Sequence, residues 1–366
     1  MTAQIIAACR SAVVPRGGAF AALSLPDLGA PVLQAALRQA GIAPAQVDEV
    51  IVSNALGGGG NPARLVALAA GLPEHVAGLS IDRQCAGGLD ALLLAKALVE
   101  SSAAHVVVAG GVESYSLRPQ RLRNFPDGRP PEPYDQPPFS PWPDRDPDMA
   151  QAADALAQAY GISRADQDAW AIASHRKAMR ACFSAEEIVG MEGQTSDPFA
   201  RRMSPTLAAR AKPVAGSITA ANMAVAADGA AFCIVVPEQL CRSLGHSGIR
   251  ILGGATKGDQ PELPGIAPLA AIRATFDQTG LSARDIACAE VMEAFAVQAI
   301  ACVQGSDLDP ACVNIGGGAL ARGHPIGASG TINAVRLCHE LRKTGGAGLA
   351  TIAAAGGIAT AVVLGA

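Results

Sequence analysis

The chain has 366 residues, half of them apolar, only 16% charged and 4% aromatic, with a net charge of −4. That length exceeds one ordinary core and predicts two or more domains. The lack of a basic block argues against nucleic acid as a partner, and no apolar run reaches the roughly 20 residues of a membrane span. Nine cysteines, odd in number and with no C-x-x-C pair, point to reduced thiols in a cytoplasm rather than to a disulfide framework or a metal site.

The N-terminus reads as a first strand over residues 4–9 and lacks the charged start and long apolar core of a signal peptide. Helical periodicity over 26–40 stops at Gly41, and a β-branched run at 47–54 is closed by Gly57-Gly58-Gly59-Gly60. Asn61-Pro62-Ala63-Arg64 then opens a helix with proline in its first turn. In Leu79-Ser80-Ile81-Asp82-Arg83-Gln84-Cys85-Ala86-Gly87-Gly88-Leu89 an apolar run ends at one cysteine, two glycines follow, and a helical pattern begins. The thiol therefore belongs to a strand-to-helix turn. Partial positive charge at the helix N-terminus would lower its pKa and make it a nucleophile; the alternative is a small residue packed beneath a helix. That helix runs to about Glu100, and a strand at 105–109 ends at Gly110-Gly111. Alternating strands and helices predict a mainly parallel sheet covered on both faces.

From about Tyr115 to Asp148 prolines and aromatics replace periodicity, which excludes helix and central strand and leaves an ordered lid, a partner surface or a solvated linker. Helices resume at 149–160 and at 164–181, the second with Ser163 as N-cap. After Lys212 the early chain repeats itself. Residues 37–47 resemble 276–286, each followed by a short apolar strand, and the strand ending at Gly110-Gly111 matches the one ending at Gly356-Gly357. On this register Cys85 corresponds to a position near Ser329–Thr331, so the two helix N-termini should face each other at the site.

Residues 314–330 gather many glycines around His324, as in a loop where backbone approaches a ligand closely. A histidine there could take the thiol proton or polarise a thioester carbonyl; the alternative is a histidine satisfying hydrogen bonds in a buried turn. N–H groups near the strand end at 350–357 could donate to an oxyanion.

With these stretches together, the chain resembles the thiolases over nearly its whole length. The resemblance rests on Asn61-Pro62-Ala63-Arg64, the Cys85 stretch, Ala109-Gly110-Gly111-Val112-Glu113-Ser114, Asn222, Asp228-Gly229-Ala230-Ala231, Glu293-Ala294-Phe295-Ala296-Val297-Gln298 and Gly323-His324-Pro325-Ile326-Gly327-Ala328-Ser329-Gly330. It implies a five-layer α/β/α/β/α fold of two similar βαβ-rich halves, residues 1–115 plus about 213–245 and residues 246–366. An inserted loop domain at 116–212 would bind coenzyme A. It further implies that Cys85 accepts an acyl group from acyl-CoA, that His324 activates it, and that the N–H groups of Cys85 and Ala355 form the oxyanion hole. Acyl-CoA is then the substrate, no cofactor is permanently bound, and a homodimer is expected.

Three positions depart from the family pattern. The second cysteine, which exchanges the α-proton of the condensing acyl-CoA, is replaced at Ala353, and no cysteine follows Cys338. The asparagine that holds a water for the second thioester oxygen is Met292, and a serine expected to contact pantetheine is Ala224. The losses fall on the carbon–carbon step and spare the acyl-loading step. Three functions follow as expectations: an acyltransferase with an impaired Claisen step, a non-catalytic acyl-CoA-binding or complex-organising subunit, or an ordinary acetyl-CoA acetyltransferase with a relocated base such as Glu293. Candidate CoA-binding residues are Arg210, Lys212, Asn222 and Ala224, with Arg118, Arg121, Arg123, Arg201 and Arg202 as further cations; segment 116–148 is a candidate surface for a protein partner.

Overall fold

The computed structural model describes residues 2–366. Its principal strands are β1 (Ala3–Ser11), β2 (Glu49–Ser53), β3 (Ala77–Ile81), β4 (Val107–Glu113), β5 (Ala227–Pro237), β6 (Ile249–Gly258), β7 (Ile286–Val291), β8 (Ala347–Ala354) and β9 (Ile358–Gly365). The principal helices are α1 (Leu25–Ala40), α2 (Pro62–Ala69), α3 (Gly87–Glu100), α4 (Met149–Tyr160), α5 (Arg164–Arg180), α6 (Pro268–Thr279), α7 (Ala296–Gly305) and α8 (Ile326–Thr344).

The strands run in spatial order β7-β8-β9-β6-β1-β5-β4-β2-β3. At the centre of this path β1 meets β6 through only two residue pairs, Gln4 with Arg250 and Ile5 with Ile249, so two half-sheets join at a narrow seam. α1 and α2 cover the outer face of one half-sheet, α6 and α7 that of the other, and α3 and α8 lie between them. The result is the five-layer α/β/α/β/α arrangement that the resemblance implies.

The sheet is mixed, not mainly parallel. β2–β3, β2–β4 and β7–β8 are parallel, and the other links of the path are antiparallel. In each half the strand that closes the βαβ unit is followed by one that returns beside it: β9 through a tight turn and β5 after the inserted region. The alternation of element types does not encode that return. β4 also continues through Gly110-Gly111 to Glu113, instead of ending there. These glycines are places of close packing, since a Cβ on Gly111 would lie 2.2 Å from the Gly327 carbonyl oxygen.

Local chemistry accounts for the helix limits. Ser24 and Asp27 form a capping box at α1, Gly41 closes it in a left-handed conformation, and Ser163 with Asp166 caps α5. α8 is buried over most of its circumference, as a position between two sheets requires, whereas α3 is buried through Leu92 and exposes Leu94 and Ala97.

The inserted region is bolted to both halves by buried charges. Arg10 on β1 donates to Glu187 (2.9 Å) and, through both terminal nitrogens, to Asp197 (2.8 and 3.0 Å). Arg336 on α8 pairs with the other Glu187 oxygen and with Glu340. Burial alone would raise the Glu187 and Asp197 carboxyls; the adjacent guanidiniums override it and hold both below the ordinary carboxylate range. Their contribution to stability is therefore complete above that range and is lost as pH falls through their folded-state values. Glu187→Gln leaves two buried guanidiniums short of charge and should cost about 3–5 kcal/mol in urea unfolding at pH 7. The deficit should shrink as pH falls below the ordinary carboxylate range and the wild-type carboxyls also begin to protonate.

Candidate active site

The chain reaches the site along two similar paths. β3 ends at Ile81, Gln84 adopts φ +48° with its N–H donating to Asp82 Oδ1 (2.7 Å), and α3 begins at Gly87, just beyond Cys85. On the other side Gly323 takes φ +112°, the His324 N–H donates to the Val225 carbonyl (2.8 Å), and α8 begins at Ile326. The two helices touch through backbone: a Cβ on Gly88 would lie 2.5 Å from the Thr331 nitrogen, and one on Gly330 2.6 Å from the Leu89 nitrogen. Glu113, at the end of β4, clamps the same region by accepting from the N–H groups of Ala55 (3.0 Å) and Gly327 (2.9 Å).

This crossing brings Cys85 Sγ to 3.1 Å from His324 Nε2. The tautomer follows from the next partner. Ser329 Oγ donates its proton to the Pro325 carbonyl (3.0 Å) and so accepts from His324 Nδ1 at 2.7 Å, which leaves Nε2 as acceptor for the thiol. Burial pushes the thiol of Cys85 up to about 12, with the Glu113 charge adding to it, and pushes the imidazole of His324 down to about 4. The resting pair is a neutral thiol and a neutral imidazole. The expectation of a lowered Cys85 pKa is corrected here: in a pocket with this little solvent, desolvation outweighs the helix N-terminus.

The pair opens onto a cavity of about 310 Å³. Met149, Ala153 and Leu156 of α4, Ala294, Phe295 and Gln298, and Ala353, Ala354 and Ala355 are among its lining residues. Phe139 brings segment 116–148 to the cavity, and the rest of that segment includes a small hairpin of Arg121–Arg123 with Glu132–Tyr134. Most of the segment is exposed, and Phe139 is its residue on the cavity. Among the described residues no lysine, arginine, aspartate or glutamate lines the cavity, and Cys85 is its one cysteine.

Several expected residues lie elsewhere. Glu293 accepts from Trp170 Nε1 (2.9 Å), Ser174 Oγ (2.7 Å), Asn314 Nδ2 (2.8 Å) and the Leu320 N–H (3.2 Å), so it anchors the fold and is not positioned as an acid or base. Asn222 is fully buried; its amide donates to Asp168 and Ser217 and accepts from the Thr219 N–H, leaving nothing for CoA. Met292 is buried in the central core, away from the cavity lining, whereas Ala224 lines it. Arg210 and Lys212 are exposed and do not line the cavity. Arg118 pairs with Asp135 (2.9 Å), Arg118 and Arg123 stack on Tyr115 and Tyr134, and Arg201 stacks on Phe199.

Residues 3–239 match the model of the thiolase N-terminal domain and residues 242–366 that of the thiolase C-terminal domain. The chain belongs to the thiolase family. Similar thiolase-family proteins include YhfS of Bacillus subtilis (strain 168), 38% identical over 99% of each chain, and the acetyl-CoA acetyltransferase of Cupriavidus necator, 36% identical over 98% of each. The crystal structure of the Bacillus anthracis acetyl-CoA acetyltransferase superposes with a TM-score of 0.92 at 33% identity, covering all of this chain and 98% of that one. The Acat5 thiolase of Ascaris suum, solved in complex with coenzyme A, also gives 0.92, at 29% identity over both whole chains.

Ser329 and Glu113 stand inside motifs read from the sequence, but their parts were not assigned there. The available signal for Ser329 was its place five residues after His324, about one turn into a helix. At the level of the thiol, a neutral pair has a direct consequence. The ultraviolet thiolate absorbance that distinguishes wild type from Cys85→Ala should be absent from about pH 6 to about pH 9 and emerge only in more alkaline solution. A thiolate signal already full at pH 7 would contradict the neutral pair.

Proposed function

We propose that this chain is an acyltransferase that loads an acyl group from a CoA thioester onto Cys85 and carries out the ordinary Claisen step poorly. The observation that carries the reading is the Cys85–His324 pair at 3.1 Å, on a cavity whose wall holds Ala353 where the family places a second thiol. In this mechanism His324 Nε2 takes the thiol proton as Sγ attacks the thioester carbonyl, and Ser329 accepts from Nδ1 and so steadies the imidazolium that forms. The N–H groups of Cys85 and Ala355 receive the developing oxyanion. As the tetrahedral intermediate collapses, the C–S bond to CoA breaks and His324 returns the proton to the leaving CoA thiolate.

The apolar lining favours the acyl and pantetheine portions of the donor and leaves its phosphates to cations outside the cavity, among which Arg210 and Lys212 belong to the inserted region. The division at 1–115 plus 213–245, 116–212 and 246–366 accords with the two half-sheets and the region between them. A homodimer, and a protein partner on the exposed Trp142 face of segment 116–148, belong to the same reading.

An ordinary acetyl-CoA acetyltransferase is the second reading, supported by the names of the relatives. It needs a proton-transfer group that Ala353 cannot supply and that Glu293, held by its four donors, is not placed to supply. Intact-mass spectrometry after incubation with acetyl-CoA and longer acyl-CoAs should give an acyl adduct that Cys85→Ala abolishes, alongside weak thiolysis of acetoacetyl-CoA. Thiolysis at ordinary rates would favour the second reading, and no adduct across the panel would favour a non-catalytic subunit. Restoring the thiol with Ala353→Cys should raise thiolysis by about 10²–10⁴-fold, the usual contribution of a positioned acid–base group.

A further inference from the structure

Directly after the nucleophile, in the first turn of α3, stands Asp90, a carboxylate in an otherwise apolar helix start and only 5% exposed. Its Oδ1 accepts from two hydroxyls, Thr256 Oγ1 at 2.6 Å and Thr360 Oγ1 at 2.8 Å, and its Oδ2 is 3.0 Å from Arg83 Nε. Each of these partners leads somewhere that matters. Arg83 lies two residues before Cys85, so the ion pair ties the entry of the nucleophile turn to the helix that leaves it. Thr256 and Thr360 are cross-strand partners on β6 and β9, and their hydroxyls are 2.9 Å apart. β9 is hydrogen-bonded to β8 in the register that pairs Thr360 with Ile352 and Ala354 with Ile358. The carboxylate is therefore two short steps from the turn that carries Ala355.

The two proposed oxyanion donors come from different halves of the chain, Cys85 on the α3 side and Ala355 on the β8–β9 turn. Helix and sheet packing by apolar contacts alone leaves the separation of such groups adjustable by a fraction of an ångström, while a buried carboxylate held by two hydroxyl donors and an ion pair fixes it. We infer that Asp90 is a positioning residue that sets the spacing between the Cys85 N–H and the Ala355 N–H across the seam between the halves. It touches neither substrate nor Sγ; it acts through Arg83 on the nucleophile turn and through Thr256 and Thr360 on the opposite wall.

This inference rests on the acyl-loading reading above, and two reactions of the same thiol separate the two. Acyl transfer from acetyl-CoA needs the oxyanion donors in register, whereas alkylation by iodoacetamide, followed at one alkaline pH for all variants, needs only the Cys85 thiolate and access to it. In the full-length protein, Asp90→Ala should lower the single-turnover rate of Cys85 acylation by about 100-fold, the scale expected for an ångström-level misplacement, and leave the alkylation rate near that of wild type. Asp90→Asn keeps an acceptor oxygen for the two threonines and should recover most of the acylation rate. Thr360→Val, which removes a single donor and preserves shape, should fall between wild type and Asp90→Ala and serves where Asp90→Ala does not fold. Equal losses in acylation and alkylation, or unchanged acylation in folded Asp90→Ala and Thr360→Val, would overturn the positioning role. Wild type that is alkylated normally but takes no acyl group from acetyl-CoA or longer acyl-CoAs would overturn the acyl-loading reading itself, and this inference with it.

Discussion

The backbone contact between Gly88 and Thr331 sets how closely the two central helices approach, and the arrangement in the cavity depends on that distance. Cys85 and His324 are 239 residues apart in the chain and meet at 3.1 Å because each stands just before a helix whose first turns are stripped to glycine where they cross. Any Cβ at Gly88 or Gly330 would strike backbone, which cannot rotate away as a side-chain tip can. The Thr331 hydroxyl, donating to the Gly88 carbonyl at 3.0 Å, turns close packing into a fixed register. The same crossing holds Gly327 against Glu113, so the sheet, the histidine loop and the nucleophile helix share one point of reference.

That closeness has an electrostatic consequence. A cavity walled by alanine, methionine and phenylalanine solvates charge badly, and it keeps both members of the pair neutral until a thioester arrives. On the proposed mechanism, proton transfer from Cys85 to His324 coincides with formation of the oxyanion, so the separated charges appear only when backbone N–H groups are there to receive them. Ser329 supports this without carrying charge itself: by fixing the tautomer it leaves Nε2 as a base, and it stays hydrogen-bonded to the imidazolium. A resting ion pair would make the thiol more reactive to every electrophile. On the proposed mechanism, the neutral pair favours partners that supply an oxyanion in the right place.

Much of this could be read from the sequence where the controlling forces are local. α4 spans residues 149–160 as the periodicity predicts, Ser163 caps α5, and the glycines around Cys85 and His324 mark both turns. The misreadings lie where a distant partner decides. Gly110-Gly111 resemble a strand end, but they sit inside β4 because Gly327 and Ala231 press against them. Asn222 and Glu293 have the residue types of binding and acid–base groups, yet buried donors and acceptors from α5, from Ser217 and Thr219 and from the glycine loop absorb their capacity. The Cys85 pKa was misjudged for the same reason, since the helix terminus is visible in sequence and the extent of burial is not. Asp90 gave no signal at all, for its threonine partners lie 166 and 270 residues away.

On the proposed mechanism, the wall formed by β8 would alter one step of the reaction while leaving another intact. Ala353 near the end of β8, Ala354, and Ala355 in the turn that follows all line one cavity. They offer it different things. At 355 the relevant group is the backbone N–H, which survives almost any side chain and is placed by the turn through Gly356 and Gly357, with φ of +82° and +74°. At 353 it is the side chain, and a methyl in place of a thiol removes proton transfer without moving the backbone. On the proposed mechanism, selection could therefore abandon carbon–carbon chemistry by a single small substitution and keep the oxyanion donor two residues away. On that mechanism the remaining constraint is geometric: β8 must keep its register with β9, and β9 its hold on α3, for the two oxyanion donors to stay in line.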